Sequence, residues 1–199
     1  MSPDHNVDDV TELVFFDGYD SNDAAAATLA KVKTLDGCLR VYSGSDLSND
    51  GSAIWFQEWK SYEHHAAFQR SEIYPSFIAG VPAFAKSVAK MAHVCLRPYP
   101  ADSILRSPIT ELIILLRNSD SSAQQLEDGF KDLEGALASW QDAVAHAKGV
   151  CLEDDREHVF ICGWKSKEGQ ETFRAKYSKI FEALQKFGDV KTKLYSLEC

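Results

Sequence analysis

The octapeptide IWFQEWKS at Ile54–Ser61 returns in altered form as VFICGWKS at Val159–Ser166. Trp59 and Trp164 stand 105 positions apart, Phe68 and Phe173 keep that spacing, and TEL recurs at Thr11–Leu13 and Thr110–Leu112 with a spacing of 99. A pattern written twice in 199 residues constrains the fold more than any local propensity does, because each copy must make the same kind of unit. One longer helix or loop in the second copy accounts for the difference between the two spacings.

Each half reads as strand, helix, strand, strand, helix, strand. In the first, TELVFFD is β-branched and aromatic, NDAAAATLAKVKTL is helical, and GCLRVYS is a strand entered through Gly37, which suits a helix C-cap. SGSDLSNDGS is turn chemistry before the strand AIWFQEW. Ser61 is placed to cap the next helix, which Pro75, Gly80 and Pro82 divide, and KMAHVCLRP closes the half as a strand.

In the second half Leu126, Phe130, Leu133, Leu137, Trp140 and Val144 form an amphipathic stripe that predicts one longer helix, opened by Ser122 and Gln125 at capping-box spacing. Gly149 then matches Gly37, and VCLE, HVFICGW, the helix KEGQETFRAKYSKIFEALQKF and the strand DVKTKLYSLE follow. The domain reading is a flexible segment 1–10, a first repeat 11–99, a Pro-containing linker 100–108 and a second repeat 109–199.

The β-α-β-β-α-β order is that of the ferredoxin-like split unit, an α+β fold with a four-stranded antiparallel sheet and both helices on one face. Alternation puts Ile54 and Phe56 on one side of the third strand, with Trp55, Gln57 and Trp59 on the other. In the second half Val159 and Ile161 oppose His158, Phe160, Cys162 and Trp164. The aliphatic sides are expected to meet the helices, and the aromatic sides to face one another around a shared interior.

Composition narrows the partners. Lys and Arg total 21 against 30 Asp and Glu, a net charge of -9, so a phosphate backbone is repelled and nucleic acid is not expected. The polar, acidic start MSPDHNVDDV is unlike a secretory or transit peptide, and no apolar run approaches the roughly 20 residues of a membrane span. Five cysteines, Cys38, Cys95, Cys151, Cys162 and Cys199, show no CxxC spacing, which predicts neither a disulfide framework nor a zinc site and fits a cytoplasmic setting.

The stretch GCLRVYSGSDLSNDGSAIWFQEWKS resembles the Pro-Gly-Cys-Leu, loop, Glu-Trp-x-Ser signature of the dimeric α/β-barrel superfamily, in particular its antibiotic-biosynthesis monooxygenase-type domains. The resemblance spans the whole chain as a tandem duplication, as in fungal two-repeat members. It implies two repeats closing into an intramolecular dimeric α/β-barrel, each repeat serving as the partner that single-repeat relatives recruit by dimerising. Monooxygenases without a cofactor, polyketide cyclases, decarboxylases, haem-degrading enzymes and stress-related proteins all occur in the superfamily, so residues must choose among them.

Trp59 and Trp164 hold the family position that lines the substrate cavity in monooxygenase-type members. Trp55, Gln57, Phe160 and Cys162 share their predicted faces and complete the expected substrate-binding set. His93, alternating with Cys95 and Arg97, and His158 are the expected proton-transfer groups, an imidazole being able to act as a base near neutral pH. His64 and His65 read as a solvent-facing pair, and Glu12 and Glu111 as strand-end charges with an acid–base role as the alternative. Tyr74 and Tyr177 are weaker candidate proton donors, and Cys162 lacks an identifiable activating group. The haem ligand that the resemblance would place in the second helix meets Phe68 and Ile73 in one half and Phe173 and Ser178 in the other, against haem.

No Walker loop, Gly-rich dinucleotide fingerprint, GxSxG or metal-spaced cluster is visible. The expected function is a cofactor-independent enzyme of specialised metabolism, oxidising, cyclising or isomerising an apolar aromatic or polycyclic small molecule. Its alternatives are a non-catalytic binding or stress-related protein with a filled interior and a haem-handling enzyme. Further pairing of two chains is left open, and Gln57 against Cys162, with Ala53 against His158, suggests halves that have diverged.

Overall fold

The computed structural model describes residues 8–48 and 50–199. Most of the segment expected to be flexible lies outside the described residues, but Asp8–Val10 already belong to a strand and Val10 is fully buried. The chain forms two compact units, one running to Cys95 and completed by Glu198 and Cys199, the other spanning Leu96–Leu197. No helix among the described residues is long and apolar enough to cross a membrane.

In the first unit β1 (Asp8–Asp17), α1 (Asp23–Val32), β2 (Cys38–Ser45), β3 (Ser52–Ser61), α2 (Tyr62–Gln69), α3 (Tyr74–Ala79) and β4 (Ser87–Val94) follow in order, with a 3-10 turn at Val81–Ala83. The second unit has a short α4 (Asp102–Leu105), then β5 (Ile109–Arg117), α5 (Ala123–Ala138), β6 (Ala143–Val150), β7 (Glu157–Trp164), α6 (Lys167–Lys176), α7 (Ser178–Gln185) and β8 (Gly188–Tyr195). The sheets are ordered β2-β3-β1-β4 and β6-β7-β5-β8 with every pairing antiparallel, so the two units share one ferredoxin-like topology. Segment 100–108 carries α4, whose Ile104 and Leu105 are buried.

The register turns the internal repeat into a spatial one. Val10 pairs with Trp59 and Glu12 with both Gln57 and His93; in the second sheet Ile109 pairs with Trp164 and Glu111 with both Cys162 and Leu194. The outer strands β2 and β6 each receive one further bridge, Ser43 with Glu198 and Arg97 with Lys148, which occupies part of an otherwise open edge.

Several local expectations are corrected. The long helix of the second half stops at Ala138, and Val144 lies in β6, an Ala-rich edge strand whose helical composition yields to pairing with β7. Gly149 sits inside that strand, and the position that answers to Gly37 is Asp142: Lys60 N donates to the Gly37 carbonyl as Lys165 N does to that of Asp142. The last helix divides at Tyr177 without a Gly or Pro to announce it, at the place where α2 and α3 part in the first unit. Neither Ser61 nor Ser122 caps with its side chain; Asn22 and Ser166 do.

The largest correction concerns the faces. Trp55 packs with Phe16, Val81, Phe84 and Ala25 of α1, while Trp164, Phe160 and Cys162 pack with Leu126, Phe130, Phe173, Phe181 and Leu184 from the helices above β7. The Trp59 ring lies 5.0 Å from His65 and 6.3 Å from Phe68 on α2. The aromatic sides therefore lie beneath the helices of their own unit, not across a shared interior. Alternation did not reveal this because Ala53 to Trp59 are buried without interruption, so apolarity does not say which face meets helix.

Gly37 has φ +80°, and a Cβ there would lie 2.3 Å from the His64 ring, whereas Gly135 in α5 has open space around it. Gly37→Ala should lower the unfolding free energy by at least about 1 kcal/mol and Gly135→Ala should raise it by roughly 0.5–1 kcal/mol. Urea unfolding of both variants checks the pair of signs.

Candidate functional site

Glu12 sits at the centre of β1, directly opposite Gln57 on one side and His93 on the other. Its side chain points under α2 and is 1% exposed. A carboxylate so placed must find donors, because an unpaired buried charge costs several kcal/mol. Trp59 Nε1 donates to Oε2 at 3.1 Å, and His65 Nε2 stands 3.3 Å from Oε1. His65 then meets His93 through its other nitrogen, Nδ1 to Nε2 at 2.7 Å. His65 is 2% exposed and His93 4%, so the three groups form one buried proton-bearing chain.

Adjacent helix positions separate the two histidines of α2. Ser61 shares a hydrogen bond with His64 Nδ1 at 2.8 Å, near the helix start, while His65 turns into the unit. The reading of both as solvent-facing is therefore wrong for His65, and Glu12 and Glu111 are core residues instead of solvated strand ends. A signal for both existed: TEL survives in each copy while most neighbouring residues differ.

The second unit builds the same frame and then closes it. Glu111 accepts from Trp164 Nε1 at 3.1 Å, from Gln170 Nε2 at 2.7 Å and from Arg174 Nε at 2.8 Å. Gln170 stands at the repeat position of His65, and Leu194 at that of His93. Arg174 also donates to Thr192 Oγ1 at 2.9 Å and lies 3.7 Å over the Phe181 ring. Its guanidinium does not give up a proton, so Glu111 is faced by a fixed positive charge. Gln69 occupies the Arg174 position in the first unit and turns its amide toward Met91 Sδ at 3.6 Å.

That exchange leaves a cleft beside Glu12. Glu12, Gln57, His65, Phe68, Tyr74 and Met91 are among its walls, and α3, which has no buried residue, forms its outer side. It measures about 30 Å³, room for little more than a water or two. Burial, and then the charge of Glu12, pushes the Tyr74 phenol up, so it stays protonated and able to donate.

Of the residues expected from sequence, His93 and Trp59 join Glu12, and Gln57 lines the cleft. Trp55 also lines it, stacks on Phe84 at 5.3 Å and donates Nε1 to Tyr19 Oη at 3.2 Å. Trp164 joins Glu111, and Phe160 is stacked between Phe130 at 5.6 Å and His146 at 5.5 Å. Burial, and then Glu111, pushes the Cys162 thiol far up, which leaves it a poor nucleophile. His158 lies opposite Leu115, away from Glu111, half-buried against Phe130 with Nε2 unpartnered.

No family model matches the chain, and no curated protein sequence matches it. Solved structures match over nearly its full length. A protein described as a candidate monooxygenase from Fusobacterium nucleatum subsp. nucleatum superposes with TM-score 0.69 at 9% identity, covering 96% of this chain and 93% of its own. An anthrone oxidase-like protein gives TM-score 0.68 at 14% identity, covering 98% and 93%. A ferredoxin-fold protein related to antibiotic-biosynthesis monooxygenases, from Listeria monocytogenes, gives 0.55 at 8% identity, covering 94% of each chain. At these identities the likeness is one of fold, and it agrees with the paired ferredoxin-like units described above.

His146 and His158 are both held below the ordinary imidazole value of 6.5, first by burial, and for His158 next by the Arg117 charge. The unfolded chain therefore takes up these protons before the folded one as pH falls below 6.5. Their contribution to stability is present above that value and is lost on acidification. Urea unfolding at about pH 7.5 and about pH 5.5 should show a smaller drop in His158→Phe than in the unaltered chain.

Proposed function

We propose that the chain is a small-molecule enzyme of the monooxygenase-like kind, with its working site in the first repeat at Glu12, His65 and His93. The observation that carries this reading is the contrast between the two carboxylates. Glu12 is met by imidazoles, which exchange protons near neutral pH, and Glu111 by a guanidinium, which does not. A group kept for structure alone needs only the second arrangement; one that moves a proton needs the first.

The substrate class is an apolar aromatic or polycyclic compound with an acidic phenol or enol. Phe68, Phe77 and Met91 supply an apolar wall, and Glu12 with Gln57 the polar end. Glu12, on the cleft wall, takes the substrate proton and passes it to His65 and on to His93, and Tyr74, on the same cleft, is the group that can donate one. The resulting phenolate or enolate is poised to rearrange, or to donate electrons where dioxygen is the second substrate. Because the cleft is small, entry of such a compound requires α3 to move outward, and the absence of buried residues on that helix lowers the cost.

The small volume favours a second reading, a binding or stress-associated protein without turnover. A panel of anthrones and polycyclic phenols separates the two through dioxygen uptake and product mass spectrometry. Under the catalytic reading Glu12→Gln and His65→Gln should each lower kcat/KM by about 10²–10⁴-fold, while Glu111→Gln stays within a few-fold of the parent. Equal losses in both repeats, or calorimetric binding with no conversion of any compound, would overturn it.

A further inference from the structure

Proton transfer needs one imidazole beside Glu12, and the first repeat buries two. Donor atoms from Glu12, His65 and His93 all lie within 4.8 Å of one another. Two imidazoles and a carboxylate are the donor set that holds first-row divalent ions and leaves further coordination positions open. We propose that Glu12, His65 and His93 form a binding site for one such ion, of the Zn²⁺ class.

The geometry is within reach of what an ion requires. Bonds of about 2.1 Å in a tetrahedral site set donors about 3.4 Å apart, so the widest gap must close by roughly an ångström or a little more. His93 Nε2 is 2.7 Å from one nitrogen of His65, and Glu12 Oε1 is 3.3 Å from the other. His65 must turn to aim a single nitrogen at the ion, releasing one of these two bonds. Glu12 and His93 are directly opposed on paired strands, which makes two of the three ligands rigid. Trp59 holds Oε2 of Glu12 and leaves Oε1 facing the imidazoles, the kind of outer hydrogen bond that orients a metal ligand.

Charge agrees with geometry. A carboxylate supplies negative charge and imidazoles supply lone pairs, the combination a buried divalent ion needs. The second repeat is an internal control: Leu194 has no donor, Gln170 replaces an imidazole, and Arg174 already supplies the positive charge beside Glu111.

The inference goes beyond the proposed activity and shares with it only the site, so metal binding is measured without turnover. Metal-stripped protein is titrated with Zn²⁺ by calorimetry and, separately, with Co²⁺ by visible absorption. The unaltered chain should bind one ion with an affinity at least about tenfold above that of His93→Leu, His65→Gln and their combination, which install the second repeat's residues. Bound Co²⁺ should show the intense bands of four- or five-coordination. Equal Zn²⁺ affinity in parent and double variant overturns the site, as does a Co²⁺ spectrum that stays that of the hydrated ion. The Co²⁺ arm needs no variant and decides the matter even where a substitution unfolds the chain. Loss of turnover on His65→Gln in a protein that binds no metal would reject the ion and keep the proton-transfer reading; metal binding without turnover would do the reverse.

Discussion

A carboxylate carried out of water must be met by donors, and in both repeats the first donor is an indole N–H on the neighbouring strand. Trp59 serves Glu12 and Trp164 serves Glu111, each at 3.1 Å. Much of the arrangement follows from that pair. It fixes the register of β1 on β3 and of β5 on β7, because a shift of one residue would turn the carboxylate away from its donor. It also sends the indoles toward the helices, where the second helix must bring whatever else the carboxylate needs.

What the second helix brings is where the repeats part. Gln170 and Arg174 complete the shell of Glu111 with fixed donors, and the Arg174 stem and Phe181 occupy the space beside it. His65 and His93 complete that of Glu12 with imidazoles, and a cleft lies beside it. Duplication thus lets the two copies surround the same buried carboxylate with different partners. The difference is made by three exchanges on a common frame, His65 for Gln170, His93 for Leu194 and Gln69 for Arg174, with no change of topology.

The repeat, the order of elements and the broken second helix of the first half were legible in the sequence because they depend on local signals: spacing, Pro and Gly positions, alternation. The end of α5 was not, since an Ala-rich segment reads as helix until β7 pairs with it. His93 and Gln57 were legible as members of a polar set on one face. His65 was hidden by His64 beside it; which member of an adjacent pair turns inward depends on helix phase relative to the sheet, and that phase is a tertiary quantity.

From sequence alone came the two-fold writing of a β-α-β-β-α-β unit and the equivalence of Trp59 with Trp164 and of Glu12 with Glu111. Those are properties of spacing along the chain. Only the folded structure decided that the tryptophan face meets the helices, that Glu12 is buried with two imidazoles, and that Arg174 reaches the equivalent carboxylate in the other repeat. The physical reason is that alternation divides a strand into two faces without saying which one a helix will cover. The partners of a buried charge come from strands and helices tens of residues away.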